Sequence, residues 1–142
     1  MKKYLFIVLL VIISSCSTDD SKPKEGQDTG LIGKWKLIEQ YADPGDGSGE
    51  FTPISSNRVI EFLSDGTVII NGVLCYMSGD VGDKETGTYI AITDSDTQFD
   101  GEIIPNTCNS RFARIYYTLP VSGNLILWYP CIEGCGQKFS KI

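Results

Sequence analysis

From Gly33 onward the chain runs in short stretches of alternating apolar and polar residues, each closed by Gly, Asp, Asn, Ser or Pro. In "KWKLIEQYA" (34–42) the period of two sets Trp35, Leu37 and Glu39 on one face of an extended strand and Ile38 on the other. "VIEFLSDGTVII" (59–70) holds two β-rich runs around Asp65-Gly66, a pair that tolerates positive φ, and so predicts a hairpin. "ING" at 70–72 turns the chain again. "GTYIAIT" (87–93) and "TQFDGEII" (97–104) flank an Asp94-Ser95-Asp96 turn, and "RFARIYYTL" (111–119) and "NLILWYPC" (124–131) flank "PVSG". "QKFSKI" closes the chain.

No stretch carries the period of a long amphipathic helix, and no repeat of fixed length is present. Eight evenly spaced candidate strands, connected in sequence, predict an all-β domain: a small eight-stranded antiparallel up-and-down barrel, with a sandwich as the alternative. Closure favours the barrel because it removes the sheet edges that a small open sheet must otherwise protect. The longest irregular stretch, "YADPGDGSGEFTPISS" (41–56), reads as a rim loop. Its Asp43, Asp46 and Glu50 carry oxygens suited to calcium, but the spacing is not that of an EF-hand, and no metal is expected.

The start of the chain follows a different pattern. Lys2 and Lys3 precede an uncharged run from Tyr4 to Ile13, about half of what a bilayer span needs, then a small-residue exit. Ile13-Ser14-Ser15-Cys16 resembles the bacterial lipobox. That resemblance implies removal of residues 1–15 as a lipoprotein signal peptide, with acylation of Cys16 anchoring the mature chain to the membrane. "STDDSKPKEGQDTG" follows, polar and without a large apolar side chain, so residues 16–30 read as an acylated flexible tether. The folded domain is then 31–142. Ser17 is not the aspartate that retains lipoproteins in the inner membrane of enteric bacteria, so the expected location is the outer membrane, on its surface or its periplasmic face. Asp19-Asp20 resembles the acidic export tags of Bacteroidetes surface lipoproteins.

Charge narrows the partners. The chain has 12 Lys and Arg against 18 Asp and Glu, and no histidine. Losing Lys2 and Lys3 with the leader takes the net charge from −6 to −8. A chain this acidic is repelled by phosphate backbones, so no nucleic-acid partner is expected. Beyond Cys16 there remain Cys75, Cys108, Cys131 and Cys135. In an exported domain four cysteines read as two disulfides, in one of three pairings, rather than as a zinc site, which lacks its usual paired C-x2-C knuckles here. Cys131–Cys135, across "CIEGC", is the favoured local staple and leaves Cys75–Cys108 for the longer loop.

Gly33-Lys34-Trp35 is a G-x-W on the first strand. Together with "YADPGDGSGEF", "IEFLSDGTV" and "YPCIEGC" it resembles the lipocalin-like domain lipoproteins of Bacteroidetes, over residues ~31–142. The T-D-Y-like motif and the late helix of larger lipocalins are missing. The resemblance implies that Gly33 and Trp35 mark the closed end of the barrel. It also implies an interior that takes a small apolar or amphiphilic ligand, with Phe62, Tyr89, Phe99, Tyr117 and Trp128 as candidate lining. Core packing is the competing role for each. Eight strands enclose space for side chains or for one small ligand. Trp128 and Tyr129 are adjacent, so one faces in and the other out.

Catalysis is not expected. With no histidine the usual base of nucleophilic triads is missing, oxidised cysteines supply no thiolate, and neither a G-x-S-x-G nor a phosphate loop is present. Carboxylates such as Glu61 and Glu102 are too common among eighteen acids to single out a pair. No cofactor is implied, and the expected state is a monomer. Two readings remain: a ligand-binding barrel, or a filled barrel whose outside engages an envelope protein or inhibits a hydrolase.

Overall fold

A computed structural model describes residues 30–108, 113–121 and 123–142. The leader, Cys16 and the tether through residue 29 lie outside the described residues, as do 111 and 112 at the start of the predicted 111–119 strand.

Among the described residues nine strands form one antiparallel sheet: β1 (Gly33–Ala42), β2 (Glu50–Pro53), β3 (Val59–Phe62), β4 (Thr67–Asn71), β5 (Lys84–Ala91), β6 (Gly101–Pro105), β7 (Ile115–Thr118), β8 (Leu125–Tyr129) and β9 (Cys135–Lys141). Neighbours in sequence pair in turn from β3 to β9, and β9 returns to pair with β1, which also pairs with β3. Eight strands thus close into an up-and-down barrel, and no helix occurs among the described residues. The ninth strand, β2, lies outside the closed set, against the second half of β1. It comes from the segment expected to be only a rim loop.

The Asp65-Gly66 hairpin forms as its residues require. Gly66 takes φ 87°, and the Asp65 carboxylate accepts the Thr67 N–H at 2.8 Å. The inward positions fill the barrel: Trp35, Leu37, Ile60, Phe62, Val68, Ile70, Ile103, Ile115, Leu125, Leu127 and Phe139 are each 0–1 % exposed. Burying such side chains supplies roughly 1.5–3 kcal/mol each before chain entropy is subtracted.

One departure from simple alternation matters for the outside. On β1 the register against β9 shifts between Leu37 and Glu39, a β-bulge. Trp35 and Leu37 face inward, but past the bulge Glu39 stands opposite Lys138 and forms an ion pair with it. Glu39 therefore does not share the face of Trp35 and Leu37, as strict alternation predicts. The extra residue reverses the parity of the rest of the strand. Tyr41 is thereby sent to the outer face.

The two disulfides are Cys75–Cys108, with Cα atoms 5.6 Å apart, and Cys131–Cys135, at 6.1 Å. Both sit toward the end of the barrel where β4 ends and β9 begins.

Candidate functional site

The five aromatics expected to line an interior separate into two groups. Phe62, Tyr89 and Tyr117 meet inside, near Trp35 and the Asp65-Gly66 end. The Phe62 ring lies 5.0 Å from Tyr89 and 6.0 Å from Tyr117, both edge-on. Phe62 is wholly buried and Tyr117 is 4 % exposed. The Tyr89 hydroxyl donates to the Leu63 carbonyl at 2.6 Å, and burial pushes the Tyr117 hydroxyl up to about 12. Gly101 makes room for Tyr117, since any Cβ there would collide with the phenol ring. Trp35, 1 % exposed, donates its indole N–H to the Leu31 carbonyl at 2.8 Å, and Gly33 enters the strand at φ 124°. These contacts pack the end of the barrel with protein groups.

The opposite end is closed by polar groups and a loop. Residues 72–83, between β4 and β5, fold over it, and Leu74 from this loop joins the buried core. Gln137, wholly buried, donates to the Ser78 carbonyl at 2.6 Å and accepts the Tyr129 hydroxyl at 2.8 Å. Arg58 is also wholly buried. Its Nη1 donates to the Asp80 carbonyl at 3.0 Å and its Nη2 to the Val73 carbonyl, while Nε has no partner. Burial pushes the Tyr129 hydroxyl up to about 12, with Arg58 pulling the other way. Cys75–Cys108 fastens the same loop to the segment after β6.

Phe99 and Trp128 lie on the outside and line no interior. Of the adjacent pair, Tyr129 is the inward residue and Trp128 the outward one. Register then aligns residues that are distant in sequence. Phe51 stands opposite Tyr41, Tyr41 opposite Gly136, Gly136 opposite Trp128, Trp128 opposite Tyr116, and Tyr116 opposite Glu102. This single row crosses six strands on the outer face of the barrel. Tyr41, Phe51 and Trp128 touch pairwise with ring centroids 5.3–5.9 Å apart. Tyr116 is stacked by Phe99 at 4.6 Å and 17°. Lys138 sits 4.3 Å over the Phe51 ring. Trp128, Tyr116 and Phe99 line a groove of about 430 Å³ together with Arg114, Tyr129, Pro130 and Cys131. Arg114 Nη1 donates to both oxygens of Glu102, at 2.9 and 2.7 Å.

Tyr41, Phe51, Tyr116 and Arg114 were not singled out by the sequence. The one signal there was the doublet Tyr116-Tyr117, which, like Trp128-Tyr129, must put one ring outside.

The Asp43 carboxylate serves its own loop. It accepts N–H groups from Gly45 at 2.8 Å and Gly47 at 3.2 Å, and these bonds hold its pKa below the ordinary carboxylate value. Asp46 caps Ser48 in the same manner. Among the described residues no group of three or more metal-binding side chains converges. No family model, curated protein or solved structure matches this chain.

Proposed function

We propose that this is an outer-membrane lipoprotein of the cell envelope, held by acyl chains on Cys16, whose lipocalin-like barrel acts by binding and not by catalysis. Its recognition site is the outer aromatic face. The observation that carries this reading is the row Phe51–Tyr41–Trp128–Tyr116, half-buried rings of which Trp128 and Tyr116 line a groove, while the inward positions are taken up by the protein's own side chains. Soluble domains seldom keep several aromatics together on an outer sheet face unless the face makes contacts. The rings brace one another on a closed sheet, so little ordering entropy is lost on binding.

A second reading keeps the ligand inside, an amphiphile entering beneath residues 72–83. Arg58 favours it, because a buried guanidinium with an unpartnered Nε is a costly group for a core to retain without use.

Two experiments test the assignment. The Cys16→Ala variant should leave the membrane fraction, and retention there would refute the anchor. A photoreactive residue placed at position 128 in living cells should give a discrete adduct, while the same residue at position 69, outward on β4, should not. An apolar probe bound in the interior, with no adduct at 128, would move the site inside.

A further inference from the structure

We propose that the groove between Trp128 and Tyr116 is a saccharide subsite that takes a neutral, hydroxyl-rich ring; this rests on the outer-face reading above. Size is the first argument. At about 430 Å³ the groove falls within the range of small-ligand sites, roughly 300–1,000 Å³.

Its chemistry is the second. Aromatic ring faces carry partial negative charge and accept the slightly positive axial C–H groups of a pyranose. The lining next to them includes the half-exposed Arg114 guanidinium, whose N–H groups donate to hydroxyls in a fixed plane and which Glu102 holds from behind. A purely apolar ligand would strip water from the half-exposed Arg114 guanidinium and return nothing for it. A sugar ring has both an apolar face and a hydroxylated edge, and satisfies both halves of the groove.

Charge is the third argument. Glu102 neutralises Arg114, and the chain as a whole is acidic, so the site offers no net attraction to an anion.

The site is also preformed. The six-membered ring of Trp128 rests over Gly136 and against Tyr41 and Phe51, and Phe99 backs Tyr116. Rings held in this way do not have to be ordered by the ligand.

The test uses the full chain extracted in a detergent without a sugar head group, since a glycosidic detergent would occupy the site. Of the two tryptophans Trp35 is buried, so a change in emission on adding sugar reports Trp128. Maltohexaose, cellohexaose, xylohexaose, mannohexaose and chitohexaose are titrated in turn. At least one should shift the emission saturably. Tyr116→Ala should weaken that binding about tenfold, as expected for losing one stacked ring, while Tyr116→Phe retains it. Unchanged far-UV and thermal profiles of both variants keep the comparison interpretable. The saccharide assignment is overturned if none of the five titrates, or if Tyr116→Ala binds as the parent does. Should an adduct at position 128 then prove to be a protein, the outer face would still be the recognition site and only its ligand class would be wrong. An apolar dye bound tightly, insensitive to Tyr116→Ala and lost in Arg58→Met, would overturn the outer-face reading itself.

Discussion

Trp128 lies across Gly136: a Cβ built on that glycine falls 3.1 Å from both Cε3 and Cζ3 of the indole. The pair stands in register on β8 and β9, so the missing side chain of one is the resting place of the other. Gly136 has no need of positive φ; space alone selects it.

Two opposing effects decide what a substitution there does. Adding a side chain in a strand recovers about 0.5–1 kcal/mol of backbone entropy, while overpacking costs about 1–3 kcal/mol. Gly136→Ala should therefore destabilise mildly, as the ring moves by a few tenths of an ångström. Gly136→Val should destabilise more, although valine is the better strand former. Urea unfolding of the two variants checks the order. If Gly136→Val proved more stable than Gly136→Ala, Trp128 would not occupy that space.

Inside the barrel, Tyr129 and Gln137 form a buried pair. Tyr129→Phe leaves Gln137 Oε1 without this donor and should cost about 1–3 kcal/mol. The pH dependence has a definite sign. The folded state holds the Tyr129 hydroxyl at about 12 and the unfolded state at its ordinary 10.0. Above pH 10 the unfolded chain releases this proton first, so the associated stability is complete below pH 10 and is lost as pH rises toward 12. Tyr117 adds a loss in the same window. Thermal melts between pH 9 and 12 should decline less steeply for Tyr129→Phe than for the parent, and equal slopes would contradict the burial described.

What the sequence discloses and what it withholds divide along locality. The Asp65-Gly66 hairpin, the strand alternation and the up-and-down order are local signals, and each is found in the structure. β2 is four residues long, includes Pro53, and exists only because the far half of β1 has a free edge. The bulge after Leu37 is a single extra residue that no period reveals, yet it turns Tyr41 outward. The aromatic row is therefore a product of register: Tyr41 and Trp128 are 87 positions apart in the chain and meet only after β9 closes on β1. Arg58, in "ISSNRVIEF", reads as an ordinary turn residue, and nothing beside it in sequence announces burial.

The disulfides should differ in what they contribute. In the chain-entropy picture, closing the 33-residue separation of Cys75–Cys108 is worth roughly 3–4 kcal/mol, and the four-residue separation of Cys131–Cys135 about 2 kcal/mol. Replacing each pair by alanines and comparing urea midpoints should rank them in that order. The Cys75 and Cys108 double variant should also loosen residues 72–83, because Leu74 beside Cys75 is what seats the loop in the core. A reversed ranking would mean that the loop is held by its hydrogen bonds more than by the bridge.

Those hydrogen bonds converge on Arg58. Its guanidinium ties the Val73 and Asp80 carbonyls to the barrel, and no salt bridge among the described residues balances its charge. Burying an uncompensated cation is costly, so replacement by a side chain of similar length removes a penalty along with the bonds. Arg58→Met should accordingly change global stability by no more than about 1 kcal/mol, since buried charges are often replaced by apolar groups at little net cost. The loop should respond differently. Without the guanidinium its two carbonyls turn to water, and amide exchange across residues 73–82 should quicken about tenfold or more while β-strand amides keep their protection. Loop exchange as slow as in the parent would show that Leu74 and Gln137 suffice to hold the loop, and that Arg58 is not its tie.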